Sequence, residues 1–290
     1  MELERCLRTI LEHTEYAPME VIVVDNGSSD GSAPMVRTCF PRVSLIENDR
    51  NEGAGRARNQ GVMAAEGELL ALLDCDTYVV DDVIGRSARY LLERPEIGLL
   101  GPELCFPDGR RQYSANRAMS IRHSLFQNLW LYRLLPKSRR AAVLLGGYWD
   151  EDREIEVDWL VGASMLLRRE LFLASGGFDL RLFPEDSEWC IRLRRAGHRI
   201  LYAPKVGVVY HTGSVVDEQK LRLYHSGGLE AYATLNGRVL ASLYRLAQLF
   251  GASVRWTVYR AAAVMRPSEY LAAQTSLYRQ LVGIYLRPHA

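Results

Sequence analysis

Three aspartates stand out by their setting. Asp74-Cys75-Asp76 closes the apolar run Leu69 to Leu73. Two carboxylates one residue apart face opposite ways in an extended chain and converge in a turn. Hard cations such as Mg²⁺ or Mn²⁺ choose carboxylate oxygen, and such an ion neutralises the charge on a departing diphosphate. An isolated Asp-x-Asp is more often a solvated turn. Asp186 lies in Pro184-Glu185-Asp186-Ser187-Glu188-Trp189, at a helix start. The macrodipole alone favours carboxylates there; the alternative is a general base that takes the proton of an attacking hydroxyl. Asp25 opens Asp25-Asn26-Gly27-Ser28-Ser29-Asp30-Gly31-Ser32. That stretch is either a plain turn or a pocket in which Asp25 accepts hydrogen bonds from a nucleobase. Asn51 to Gly61 carries glycines, Arg56 and Arg58 at a helix start. It suits a phosphate, or is a capped helix with a basic wet face. Its glycines lack the G-x-G-x-x-G spacing of a dinucleotide site. His211 ends an apolar run and either packs there or completes a metal shell.

The elements that must hold these residues follow from periodicity. Leu3, Cys6, Leu7 and Ile10 have helical spacing. Residues 20–24, 43–46 and 69–73 read as short strands, and helices are expected over 55–65 and 81–93, with Pro95 stopping the second. Strands alternating with helices imply a mostly parallel sheet flanked by helices. Ligands of such sheets bind beyond the carboxyl ends of the strands, so Asp25 and Asp74 are expected to share one crevice. Residues 106–155 read as irregular, with turns at Pro107-Asp108-Gly109 and Gly146-Gly147. Strand returns at 157–167, a helix at 185–196 and strands near 200–202 and 206–210.

Of the 290 residues, 48% are hydrophobic and 24% charged, which excludes disorder, and a net charge of +1 gives no case for nucleic acid. Five scattered cysteines without C-x-x-C spacing argue against a disulfide framework or a zinc site, and fit a reducing, cytoplasmic setting. No stretch reaches the roughly 18 apolar residues of a spanning helix. Residues 217–290 change texture: they hold nine Lys or Arg against four Asp or Glu, with helices expected near 228–250, 252–265 and 268–286. We read 1–216 as the main domain and 217–290 as a basic amphipathic tail. The tail either caps the domain or lies on an anionic membrane as a peripheral anchor.

The order of VVDNGSSDGS, NEGAGRARNQG, LLDCDTYV, DWLVGASMLLRRE, GGFDLRLFPEDSEWCIRLRRAG and YAP with His211 resembles family 2 inverting glycosyltransferases of the GT-A fold, in their rhamnosyltransferase-like branch. The likeness runs from about residue 3 to about residue 215. It implies a nucleotide-diphospho-sugar donor (UDP-, dTDP- or GDP-linked), an Mg²⁺ or Mn²⁺ ion, and a glycan or lipid-linked acceptor in cell-surface polysaccharide synthesis. By the same likeness Asp25 contacts the nucleobase and Arg58 the diphosphate or base. Asp74 contacts the ribose or a metal-bound water, Asp76 ligates the metal, and His211 completes that site. Asp186 is the catalytic base beside Glu185, and Trp159, Gly162 and Ala163 shape the sugar and acceptor pocket.

Two departures qualify the likeness. Family members begin with a central strand, whereas Leu3 here already stands on the first helix, so the first strand is expected to be missing and the chain truncated or its start assigned too late. The Q-x-x-R-W motif of processive members is incomplete, since Ala252 precedes Arg255-Trp256. A single-addition enzyme is therefore expected. The competing readings are an inactive sugar-nucleotide-binding scaffold and a sugar nucleotidyltransferase. The latter would want a glycine-rich, lysine-bearing phosphate loop near the N-terminus.

Overall fold

Short apolar runs that end in polar turns become strands here, and the stretches between them with helical spacing become helices. The computed structural model describes residues 1–136, 153–213 and 218–287 in two units. The first unit holds residues 1–116, 153–181 and 185–213, and the second 117–136, 182–184 and 218–287. The first unit runs α1 (Glu2–His13), β1 (Ile22–Asp25), α2 (Ser32–Cys39), β2 (Ser44–Glu47), α3 (Ala54–Ala64), β3 (Leu69–Leu73), β4 (Thr77–Val79) and α4 (Val83–Glu93). It continues with β5 (Ile97–Gly101), β6 (Glu103–Cys105), β7 (Arg111–Gln112) and β8 (Ala115–Asn116). After α5 (Ile121–Asn128) of the second unit come β9 (Ile155–Glu156), β10 (Trp159–Leu160), β11 (Ser164–Arg168), α6 (Arg169–Ala174), α7 (Glu185–Arg195), β12 (Arg199–Tyr202) and β13 (Val208–His211). The second unit adds α8 (Glu218–Asn236), α9 (Arg238–Met265) and α10 (Glu269–Leu286).

Helices flank the strands as expected, but the pairing is more mixed than a mostly parallel sheet. The five-stranded sheet has the order β3-β11-β5-β12-β9, and the four-stranded sheet β4-β13-β6-β7. Parallel pairs are β1–β2, β5–β12 and β6–β13; β11 runs antiparallel to both β3 and β5. One of the antiparallel pairs has a local cause. Parallel neighbours need a long connection, whereas β6 and β7 are joined by the tight turn at Pro107-Asp108-Gly109 and pair antiparallel. The 157–167 run divides into β10 and β11, because Val161-Gly162-Ala163 leaves the ladder. Among the described residues β1 pairs with β2 alone and β3 with β11 alone, with no strand between them. Ile22, Val23 and Val24 are accordingly half-buried and Ala71 is exposed.

One face of α1 joins two cores. Cys6 and Ile10 pack with Val79, Val83, Leu100 and Val209, while Leu7 packs with Val36 and Val43. At α4, Asp82 caps the helix by accepting from the Gly85 N–H.

The second unit is helical around Leu229, Tyr232, Tyr244, Leu281 and Tyr285. Its middle boundary differs from the expectation. A break near Gly251 was expected from the sequence, yet α9 runs unbroken through it. The chain turns instead at Gly237, whose φ of +84° suits a residue without Cβ. Gly251 serves close packing: a Cβ there would stand 2.5 Å from the Cβ of Asn128 on α5. Within the irregular stretch expected over 106–155, residues 121–128 form a helix capped by the Ser120 hydroxyl. Gly146-Gly147 lies outside the described residues.

Candidate active site

The Asp74 to Thr77 turn is fixed through its backbone. The Asp74 N–H donates to the Ala163 carbonyl at 3.1 Å. The Asp74 carbonyl accepts from the Thr77 N–H and from the Thr77 hydroxyl, at 3.1 and 2.7 Å. The chain then enters β4, which pairs antiparallel with β13 so that Thr77 stands opposite His211. A cross-strand Tyr78–Tyr210 stack, with centroids 5.0 Å apart, stiffens that pair, and the Arg5 guanidinium lies over the Tyr78 ring. The fold thus turns both aspartates toward the histidine.

Asp74, Asp76 and His211 each offer a ligand atom within 4.8 Å of the others. His211 Nε2 is 3.4 Å from Asp76 Oδ1. Its Nδ1 lies 2.8 Å from Gln112 Oε1, which sets the ring so that Nε2 faces the carboxylates. The hydrogen bond to Asp76 holds the imidazole above its usual pKa, against the effect of burial. Two carboxylates and an imidazole form a donor set that fits Mg²⁺ or, with its nitrogen, better Mn²⁺.

Behind this cluster lies a second acidic centre, joined to it by Arg58 on α3. Its guanidinium reaches Asp74 Oδ1 at 2.6 Å, Glu185 Oε1 at 3.0 Å and the Gly162 carbonyl at 3.2 Å. Burial opposes its charge, but Asp74, Glu185 and Asp186 hold it above the usual arginine value. Asp186, in the first turn of α7, accepts from the Gly162 N–H at 2.8 Å and the Ser187 N–H at 2.7 Å. Burial, with Glu185 alongside, pushes its carboxyl up to about 6 even though Arg58 draws it down. A Cβ at Gly162 would stand 3.0 Å from both terminal nitrogens of Arg58, so a side chain there requires the guanidinium to give way by a few tenths of an ångström.

The site residues named from the sequence are therefore only partly convergent. Arg58, Asp74, Asp76, Gly162, Ala163, Glu185, Asp186 and His211 form one connected constellation. Asp25 stands apart, buried at the end of β1, with Oδ2 accepting from the Ser28 N–H at 3.1 Å. Its link to the rest runs through Asn26, which accepts from Asn48, whose amide pairs with Gln60 on α3. Trp159 is placed by β10 opposite Asn116. Sequence reading missed Gln112, Thr77, Asn48 and Gln60. It also missed Asn59, which pins α3 to the glycine loop by bonds to the Phe178 N–H and carbonyl, both at 3.0 Å. Asn59 and Gln60 sit inside a segment already singled out, one and two residues after Arg58, and could have been found; Gln112 carries no local signal.

The constellation sets three groups that could hold a metal ion beside a carboxyl pushed up to about 6, with a buried arginine between them. The family model described as Glycosyl transferase family 2 matches residues 2–146. An N-acetylglucosaminyl-diphospho-decaprenol L-rhamnosyltransferase of Mycobacterium tuberculosis (strain CDC 1551 / Oshkosh) is 28% identical over 96% of this chain and 90% of its own length. The O-antigen biosynthesis protein RfbC of Myxococcus xanthus is 27% identical over 72% of this chain and 16% of its own. Among solved structures, the mannosyltransferase PcManGT from Pyrobaculum calidifontis, in complex with GDP-Man and Mn²⁺, superposes with a TM-score of 0.56 at 19% identity, covering 98% of this chain and 81% of that one.

Proposed function

Because the chain belongs to glycosyl transferase family 2 and has the GT-A fold, we propose how its constellation performs an inverting transfer and on what. The donor is a nucleotide-diphospho-sugar and the acceptor a hydroxyl of a glycan or lipid-linked intermediate in cell-surface polysaccharide synthesis, one sugar being added per encounter. The rhamnosyltransferase and the O-antigen protein among its relatives support that choice. Asp25 receives the nucleobase, and Trp159 with Gly162 and Ala163 borders the sugar and acceptor. Asp76 and His211 would hold Mg²⁺ or Mn²⁺, with Asp74 turned to the ribose or reaching the ion through water; the ion would offset the charge of the leaving diphosphate.

Asp186 supplies the base. The acceptor oxygen attacks the anomeric carbon and loses its proton to the Asp186 carboxylate. The carbon–oxygen bond to the diphosphate breaks on the opposite face, which inverts the configuration. Arg58 stays charged throughout. It steadies Asp74 and Glu185, and its field favours the diphosphate.

The observation that carries this reading is the convergence of Asp186 and Asp74 on a single main-chain stretch, Gly162-Ala163, with Arg58 bridging the two sides. We place the enzyme in the cytoplasm, peripheral on the inner membrane face. The test is turnover of UDP-, dTDP- and GDP-linked sugars on a polyprenyl-diphosphate-linked acceptor, with Mn²⁺ and with EDTA. Transfer that needs the ion and inverts the anomeric centre supports the reading. Donor binding without transfer under every condition would mark a scaffold instead.

A further inference from the structure

The longest helix of the second unit has two contrasting sides. The inner side of α9 is committed. Tyr244 stacks on Tyr232 at 4.2 Å between centroids, and Arg245 donates to the Tyr285 carbonyl at 2.9 Å. Arg255 donates to the Asn128 carbonyl at 2.9 Å and the Tyr278 hydroxyl at 2.7 Å. The outer side carries Val239, Leu243, Leu246, Phe250 and Val264, which are 77, 49, 57, 55 and 79% exposed. The first four are spaced four, three and four residues apart, and Val264 returns to the same side further along, so all five lie on one stripe. A soluble monomer has no use for five large apolar side chains in a row on one helix.

Charge identifies what covers that stripe. Residues 231–268 contain five arginines (238, 245, 255, 260 and 266) and no aspartate or glutamate. Arg245 and Arg255 are engaged on the inner side, which leaves Arg238 and Arg260 flanking the stripe. A second copy packed on this stripe would bring those two arginines of each copy to one seam, with no carboxylate of residues 231–268 to balance them. An anionic lipid surface offers both hydrocarbon and negative headgroups. No described helix is long and apolar enough to cross a membrane, so the contact is one of lying on the surface.

We propose that the Val239–Phe250 and Val264 stripe of α9 docks in the plane of an anionic membrane, with Arg238 and Arg260 reaching the headgroups. This deepens the peripheral placement proposed above and rests on it for its purpose, the capture of a lipid-linked acceptor. Its test is independent of turnover. The full chain is floated with phosphatidylcholine vesicles and with vesicles of phosphatidylcholine and phosphatidylglycerol at roughly 7:3. We expect flotation with the anionic vesicles only, and a loss on the order of tenfold or more for the L243S/L246S/F250S variant. The R238Q/R260Q variant leaves the apolar stripe intact and is expected to bind more weakly by about fivefold per arginine removed. Circular dichroism of both variants checks that the helices persist. Equal binding by wild type and the serine variant, or no binding by wild type, overturns the proposal. A dimer that the serine substitutions dissociate, with no vesicle binding, assigns the stripe to a second copy and overturns it too. Either failure leaves metal-dependent transfer to a water-soluble acceptor unaffected, so the two readings fall separately.

Discussion

The two acidic centres of the site differ in how their charge is balanced. Asp74, Asp76 and His211 lie at strand ends and present ligand atoms toward one another, with the imidazole and Arg58 among their counterweights. Asp186 and Glu185 are balanced from within, by the Gly162 and Ser187 N–H groups and by Arg58. In the function proposed above, the first centre receives a cation from outside and the second takes up a proton. The same aspartate side chain is assigned two chemistries because its neighbours differ, and the separation between the two is a property of the backbone around residue 162.

Several substitutions would break or sharpen that contrast. The largest effect is expected at the closed centre: Asp186→Asn removes the proton acceptor and lowers kcat by about 10³–10⁴-fold, with donor KM nearly unchanged, in steady-state assays. At the open centre, Asp76→Ala is expected to cost on the order of 10³-fold and to abolish the response to added Mn²⁺, read by titrating the ion against turnover. A variant that kept its full metal response would move the cation site elsewhere. Arg58 spans both centres, so Arg58→Lys, which keeps the charge but loses the fork, is expected to cost about 10–100-fold. Arg58→Gln should in addition move the acid limb of the pH profile upward, because the charge that draws the Asp186 value down is gone.

The smallest effect is the pH profile of the wild type. Asp186 works as its carboxylate, so turnover should rise with pH and reach half its plateau at about 6. The same raised value affects stability. This group's contribution is largest below the ordinary aspartate range and is lost as pH rises through about 6. A profile with its acid limb near 4 would mean that the carboxyl is solvated in the working enzyme.

Much of the site was legible because its residues sit at predictable places along the chain. Leu69 to Leu73 could only be a short strand, and the polar residues after it had to lie at its carboxyl end. Glu185 and Asp186 could be placed on the first turn of a helix for similar reasons. The rest depended on pairings distant in sequence. Gln112 lies in a two-residue strand and matters only because β7 brings it to His211, 99 residues away. The antiparallel placing of β11 escaped the reading since a run of apolar residues shows that a strand is buried without showing its direction. Gly251 looked like a helix stop; its purpose, the close crossing of α5, is a tertiary fact that no local pattern carries.

The peptide at Gly162-Ala163 has one more consequence. Its N–H holds Asp186, its first carbonyl holds Arg58, and its second receives the Asp74 N–H. If Asp186 and Asp74 act as proposed, the gauge between their two centres is written in main-chain atoms, which substitution of other side chains does not edit. Loops around such a site could then drift toward new substrates without recalibrating the chemistry.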